Sequence, residues 1–153
     1  MAHSHSFPAT TESCRLRRPD VVEYARTLLN TPFVHQGRLE GVGIDCIGAL
    51  VCIAKHFDIP HKDHKSYSRK PNGTLIKRLV NAGLIERPNL VLEPCSVLVF
   101  EIRREPYHVG IMTSAVTMLH THSGVGCVVE HRLDHKWLKR LHSVWEFPVK
   151  WQQ

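Results

Sequence analysis

From Cys46 to Ala54 the chain runs Cys-Ile-Gly-Ala-Leu-Val-Cys-Ile-Ala, with Asp45 before it and Lys55-His56-Phe57 after it. Taken as a helix over 45–57, this stretch has no polar face to turn toward water, so it belongs inside a domain with other elements around it. It is far too short to span a bilayer. A length of 153 residues is enough for one domain with a core of its own.

The rest of the chain supplies two different kinds of cover. Pro19 sits where a helix start tolerates proline, and Val21, Val22, Ala25, Leu28 and Leu29 follow at helical spacing until Asn30-Thr31-Pro32 ends the pattern. Residues 33–43 read as a loop with Gly37, Gly41 and Gly43, and residues 60–72 as a polar loop dense in His and Lys. A short helix over 73–82 uses Leu75, Ile76, Leu79 and Val80 and is closed by Gly83. Beyond Pro88 the period changes. Residues 96–102, 108–113, 117–120, 125–130 and 144–149 read as short strands with turn residues between them. Helices first and strands second predict an α+β fold, N-terminal helices packed on an antiparallel sheet. Residues 1–18 are polar and aperiodic and are read as an N-terminal extension ordered by a partner, with the domain occupying 19–153.

A formal net charge of +6 favours polyanions or an acidic substrate. No helix-turn-helix or zinc-finger pattern accompanies it, so nucleic acid is not the expected partner. The cysteines, Cys14, Cys46, Cys52, Cys95 and Cys127, are odd in number and form no C-x-x-C pair, against a disulfide framework and a standard zinc site. Free thiols suit synthesis in a reducing compartment. No basic stretch followed by an apolar core opens the chain, so a secretory signal is not expected, and neither is membrane insertion.

One cysteine stands apart. Cys46 starts the buried helix directly after a glycine-rich loop. Unpaired N–H groups and the helix dipole at that end favour thiolate over thiol and are suited to an oxyanion. A buried core role remains the alternative for Cys46 and is the expected one for Cys52. A thiol nucleophile needs a base and the base an orienter. His108 begins one predicted strand and His120 ends the next, so an antiparallel turn brings the two imidazoles side by side; His122 is the second candidate for the orienting position. His61-x-Asp63-His64 has the donor types of a metal site, but in a polar loop it is read as solvated, and no metal or organic cofactor is expected.

Asp45-Cys46 opening a helix, His108-Val109-Gly110-Ile111, and His120 twelve positions further on together resemble the NlpC-type, papain-like cell-wall cysteine peptidases. The likeness covers about 19–148. Thr31-Pro32-Phe33-Val34-His35-Gln36-Gly37-Arg38, the Leu119-His120-x-His122 strand followed by Val128-Val129-Glu130, and Trp145-Glu146-Phe147-Pro148 resemble the branch found in phage tails and gene-transfer particles. The resemblance implies a papain-like fold and a cysteine endopeptidase with Cys46, His108 and His120 as catalytic residues and Asp45, Phe33 and His35 at the substrate. It also implies a peptidoglycan stem peptide as substrate, cut at the γ-D-glutamyl–diaminopimelate bond. Tail-tip or hub proteins follow as partners, with synthesis in the host cytoplasm, residence in the virion tail tip and action in the host periplasm. Three positions depart from the pattern: the loop Tyr is Phe33, the loop Trp is His35, and the Ser after the Cys is Ile47. In many members that Tyr, the Asp and that Ser hold the free amine of the stem peptide, so a different end of the peptide is an expected substrate here. The rival readings are a structural tail-tip adaptor or plug that keeps the fold, and an amidase or acyltransferase using the same Cys/His chemistry.

Overall fold

The computed structural model describes residues 15–153, and most of the expected extension, with Cys14, lies outside them. Helix α1, Arg18–Thr27, has Pro19 in its first turn and buries Val21, Val22 and Ala25. Helix α2, Cys46–His56, buries Gly48 through Ala54, as a helix without a polar face must. Helix α3, Leu75–Ala82, buries only Leu75 and Leu79 and ends on Gly83, whose φ of 104° is open to glycine at little steric cost.

Strands β1, Arg38–Leu39, and β2, Gly43–Ile44, form a small hairpin within the segment read from sequence as a loop. The main sheet has six strands: β3, Ile85–Arg87; β4, Val97–Ile102; β5, Glu105–Met112; β6, Thr117–His122; β7, Cys127–Arg132; and β8, Leu141–Glu146. Their order is β3-β8-β4-β5-β6-β7 and every pairing is antiparallel. The expected helix-on-antiparallel-sheet plan is the plan observed. Strand β8 starts three residues before the expected 144, β3 had been missed, and a four-residue helix α4, His135–Leu138, stands between β7 and β8.

Alternation along the strands divides the interior in two. Val97, Val99, Val109, Ile111, Leu119 and Val128 face the helices and form one cluster with α1 and α2. Leu98, Phe100, Met112 and Met118 lie on the other face and are covered by Leu133, Trp137 and Leu141. The sheet is therefore buried on both faces at β4, β5 and β6, with α4 supplying the second lid. Leu16 bridges Trp151 and Arg18 lies over the Trp151 ring, so the two ends of the described chain meet.

Candidate active site

Asp45 is the N-cap of α2: its Oδ1 accepts from the Gly48 N–H at 2.7 Å. The first intrahelical bond runs from the Ala49 N–H to the Asp45 carbonyl, so the Cys46 and Ile47 N–H groups precede the helix ladder. Gly48 is required here by space: a Cβ at this position would collide with the Gly37 carbonyl, because the glycine loop lies flat against the helix start. The Thr121 Oγ1–H donates to the Asp45 carbonyl at 3.1 Å and ties β6 to the same point.

Cys46 stands at the helix start as expected, and burial there works against the thiolate that the helix end favours. Burial, followed by the nearby Asp45 charge, pushes the Cys46 thiol up to about 11, against the opposing pull of the Val109 and Ile47 backbone N–H groups and Arg78. The helix end does favour thiolate; removal of water disfavours it more. Burial, with His122 nearby, pushes His108 down to about 3. Both shifts favour the thiol and the neutral imidazole over the charged pair.

The imidazoles form a longer chain than the sequence suggested. His108 Nε2 meets His120 Nδ1 at 2.7 Å, His120 Nε2 meets His131 Nε2 at 2.8 Å, and His131 Nδ1 meets the Arg132 carbonyl oxygen at 2.8 Å. A carbonyl only accepts, so with all three imidazoles neutral this last contact orders every proton in the row. His131 donates from Nδ1 and therefore accepts at Nε2. His120 donates from Nε2 and accepts at Nδ1. His108 donates from Nε2, and its Nδ1 is left as an unprotonated base. Strand pairing builds the row: Met118 faces His131 and His120 faces Val129, so His120 and His131 are diagonal neighbours on one face of the sheet. Trp137 lies edge-on to His120 with centroids 4.8 Å apart and also borders His108, His122 and His131. His120 is only 1 % exposed, and burial together with its imidazole neighbours holds its pKa far below the ordinary histidine value. His122 Nδ1 accepts from the Gly124 N–H, so His120 is the histidine joined to His108.

On the other side of Cys46 the polar groups are charged. Asp45 Oδ1 accepts from Gly48 N–H and from Arg38 at 3.1 Å; its Oδ2 accepts from Gln36 N–H at 2.8 Å and from the Tyr67 hydroxyl. Arg38 is 7 % exposed at its side chain and also forks onto Asp63, with its Nε 3.0 Å from Oδ2 and its terminal nitrogen 3.1 Å from Oδ1. Asp63, one of the donors in His61-x-Asp63-His64, is thereby committed to Arg38, and His61 Nδ1 meets the Ile59 carbonyl. Among the described residues no group of three metal-ligating side chains converges.

Cys46 and His108 both line one cleft of about 100 Å³, together with Phe33, His35, Asp45 and Tyr67. All the residues expected at the substrate are therefore in its wall. His35 Nε2 meets the Tyr67 carbonyl at 3.1 Å and its ring packs edge-on against the Tyr67 ring, so it buttresses the 60–72 loop. That loop, unassigned from sequence, forms part of the wall through Tyr67 and Ser68. Tyr67 supplies a phenol beside Asp45, where Phe33 had seemed to leave none. Tyr67, Arg38, Arg78 and His131 were not anticipated.

Solved structures with similar folds point in one direction. An NlpC/P60 family protein from Bacillus cereus superposes with a TM-score of 0.63 over 85% of this chain and 40% of its own, at 17% identity. The NlpC/p60 domain of the peptidoglycan hydrolase SagA matches with a TM-score of 0.57 over 84% of this chain and 97% of its own, at 16% identity. NlpC2 from Trichomonas vaginalis matches with a TM-score of 0.63 over 85% of this chain and 46% of its own, at 16% identity. The fold is papain-like, of the NlpC/P60 kind. The chain spans under half the length of the Bacillus and Trichomonas proteins and nearly all of the SagA domain. No family model matches the chain. No curated protein matches it in sequence.

Proposed function

We propose that the protein is a cysteine peptidase that hydrolyses an amide bond in peptidoglycan stem peptides, at the γ-D-glutamyl–diaminopimelate linkage, with Cys46 as nucleophile, His108 as base and His120 as orienter. The observation that carries this reading is the His108–His120 contact, which leaves His108 Nδ1 as the free base in a cleft shared with Cys46. The likeness of fold to a domain described as a peptidoglycan hydrolase supports the substrate class. The resemblance of the loop at 31–38 and of the His120-x-His122 strand to the particle-borne branch supports a phage tail-tip component. Such a component is made in the host cytoplasm, joins other tail-tip or hub proteins and opens the wall from the periplasmic side.

The chemistry follows from the protonation states. The Cys46 thiol gives its proton to His108 Nδ1 as the sulfur bonds to the amide carbon, so charge develops only as the substrate is attacked. The Cys46 and Ile47 N–H groups stand where the oxyanion forms. His108 Nδ1–H then protonates the leaving nitrogen as the C–N bond breaks. His120 accepts from His108 Nε2 throughout and stabilises the transient imidazolium. Water, losing its proton to His108 Nδ1, attacks the thioester, and the thiol is restored.

Digestion of purified diderm peptidoglycan with the wild type and Cys46→Ala, followed by mass spectrometry, tests the proposal. The wild type is expected to release fragments ending in D-glutamate, and Cys46→Ala none while keeping its cooperative thermal unfolding. Fragments from both proteins would remove Cys46 from the chemistry; fragments from neither would favour the structural adaptor reading.

A further inference from the structure

Charge in the cleft is distributed opposite to what a site for a free ammonium group requires. Among the described residues that line it Asp45 is the one carboxylate, and its two oxygens already accept four hydrogen bonds, one of them from Arg38 at 3.1 Å. The cation in the wall, by contrast, is uncommitted. Arg78, in α3, lies with its guanidinium carbon 4.3 Å from the Tyr67 ring centroid. It forms no ion pair among the described residues, and its Nε is buried without a hydrogen-bond partner. It also borders a neighbouring cavity of about 60 Å³ whose wall combines Ile47, Leu50, Leu79 and Phe147 with Lys62 and Asp63. A planar, permanently charged donor with an unsatisfied buried N–H is suited to a carboxylate. Tyr67 and Arg78 line the same cleft as Cys46 and His108; with the leaving amine beside His108 to receive its proton, the acyl half is the part of the substrate left to meet them.

We propose that Arg78 is a specificity-determining residue that binds a carboxylate on the acyl side of the scissile amide, and that the free amine expected to meet Asp45 is not recognised. The inference rests on the hydrolase reading and deepens it. It requires an acyl donor with an acidic group close to the attacked carbonyl. An α-carboxylate beside a γ-linked amide meets that requirement; its carboxamide does not.

The test uses four synthetic tripeptides, L-Ala-γ-D-Glu-diaminopimelate and its D-Glu α-carboxamide, each with a free or an acetylated amino terminus. With the full-length wild type, kcat/KM is expected to favour the carboxylate by about tenfold or more, the size of one charge-assisted hydrogen bond, and acetylation to change it by less than about twofold. Arg78→Gln should bring the carboxylate-to-carboxamide ratio close to one, and Arg78→Lys should retain part of it, a point charge without the fork. An unchanged ratio in Arg78→Gln, no preference in the wild type, or cleavage of the free-amine peptides alone would each overturn the inference. If no tripeptide is cut, the same four are titrated onto Cys46→Ala and followed by the Arg78 Nε–H resonance. A carboxylate-selective shift then sustains the recognition while the hydrolase reading fails; equal or absent shifts sink the recognition itself.

Discussion

The two walls of the cleft keep buried polar groups satisfied by opposite means. On the β6–β7 side the groups are imidazoles: His108 and His120, held neutral by burial, pass hydrogen bonds through His131 to a backbone carbonyl beside Trp137. On the loop side they are ionic: Asp45 and Asp63 share the one guanidinium of Arg38, with Tyr67 and two backbone N–H groups filling the remaining sites on Asp45. The contrast matches what each wall has to do. A neutral row can take up a proton during a reaction and release it again with little rearrangement, because each imidazole already points the right way. A closed set of ion pairs has no spare capacity; it holds the helix start and the glycine loop in position. A buried charge that loses its partner is costly, whereas a buried neutral group that loses one costs less.

The ionic wall therefore breaks hardest. Arg38→Ala leaves the Asp45 and Asp63 carboxylates without their shared cation, and Asp45 is 3 % exposed. Equilibrium urea unfolding is expected to show a loss of about 3–5 kcal/mol. Adding Asp45→Asn should recover part of it, since an amide oxygen still caps Gly48 and no longer carries charge. A loss below about 1 kcal/mol for Arg38→Ala would mean that this wall is solvated and the contrast with the imidazole side is false.

The neutral wall responds first in rate. His120→Ala removes the acceptor of the His108 Nε2–H, and kcat on cell-wall substrate is expected to fall on the order of a hundredfold while residual turnover persists. His120→Gln, whose side-chain oxygen is able to accept that proton, should recover part of it. The same residue governs acid sensitivity. His108 and His120 are held neutral in the folded protein and bind protons near pH 6.5 once unfolded. Their contribution is complete above about 6.5 and is lost as pH falls toward 3, at about 1.4 kcal/mol per pH unit for each imidazole. His120→Gln should flatten the fall in stability between pH 6 and 5 by that amount. An unchanged slope would show that His120 titrates normally in place.

How much of this was legible in the sequence depended on whether a residue sat on a periodic element. Cys46 was readable because an apolar helix begins there, and His108 and His120 because they open and close the strands expected over 108–113 and 117–120, although both lie inside longer strands. The helix-then-strand plan followed from the same periodicities. His131 was lost by one residue, on a strand read as ending at Glu130, and its place beside His120 depends on a register that pattern alone does not supply. Arg38 and Tyr67 come from segments read as aperiodic loops, and Arg78 from a helix noted only for its apolar positions. Their convergence is a product of the tertiary fold. The pull of the helix end on the Cys46 thiol was visible in sequence, and the burial that opposes it was not.

The smallest effect is also the finest test of the neutral wall. His131 touches neither Cys46 nor, by any hydrogen bond, His108; it acts on the row only by accepting from His120 Nε2–H. Without that acceptor His120 is free to carry its proton on Nδ1, and it then donates to His108 Nε2. His108 must in that case hold its own proton on Nδ1, where it cannot act as a base. His131→Leu is expected to lower kcat by about tenfold, the worth of one hydrogen bond, with KM unchanged. His131→Gln should restore most of it, because its side-chain oxygen accepts and the leucine does not. Nitrogen-15 correlation spectra of the His120 ring separate this from a loss of packing: the leucine variant should show a mixture of tautomers, and the wild type and glutamine variants a single one with the proton on Nε2. A leucine variant with full kcat and a single tautomer would mean that the row is fixed from the His108 end, and that the Arg132 carbonyl is only where it stops.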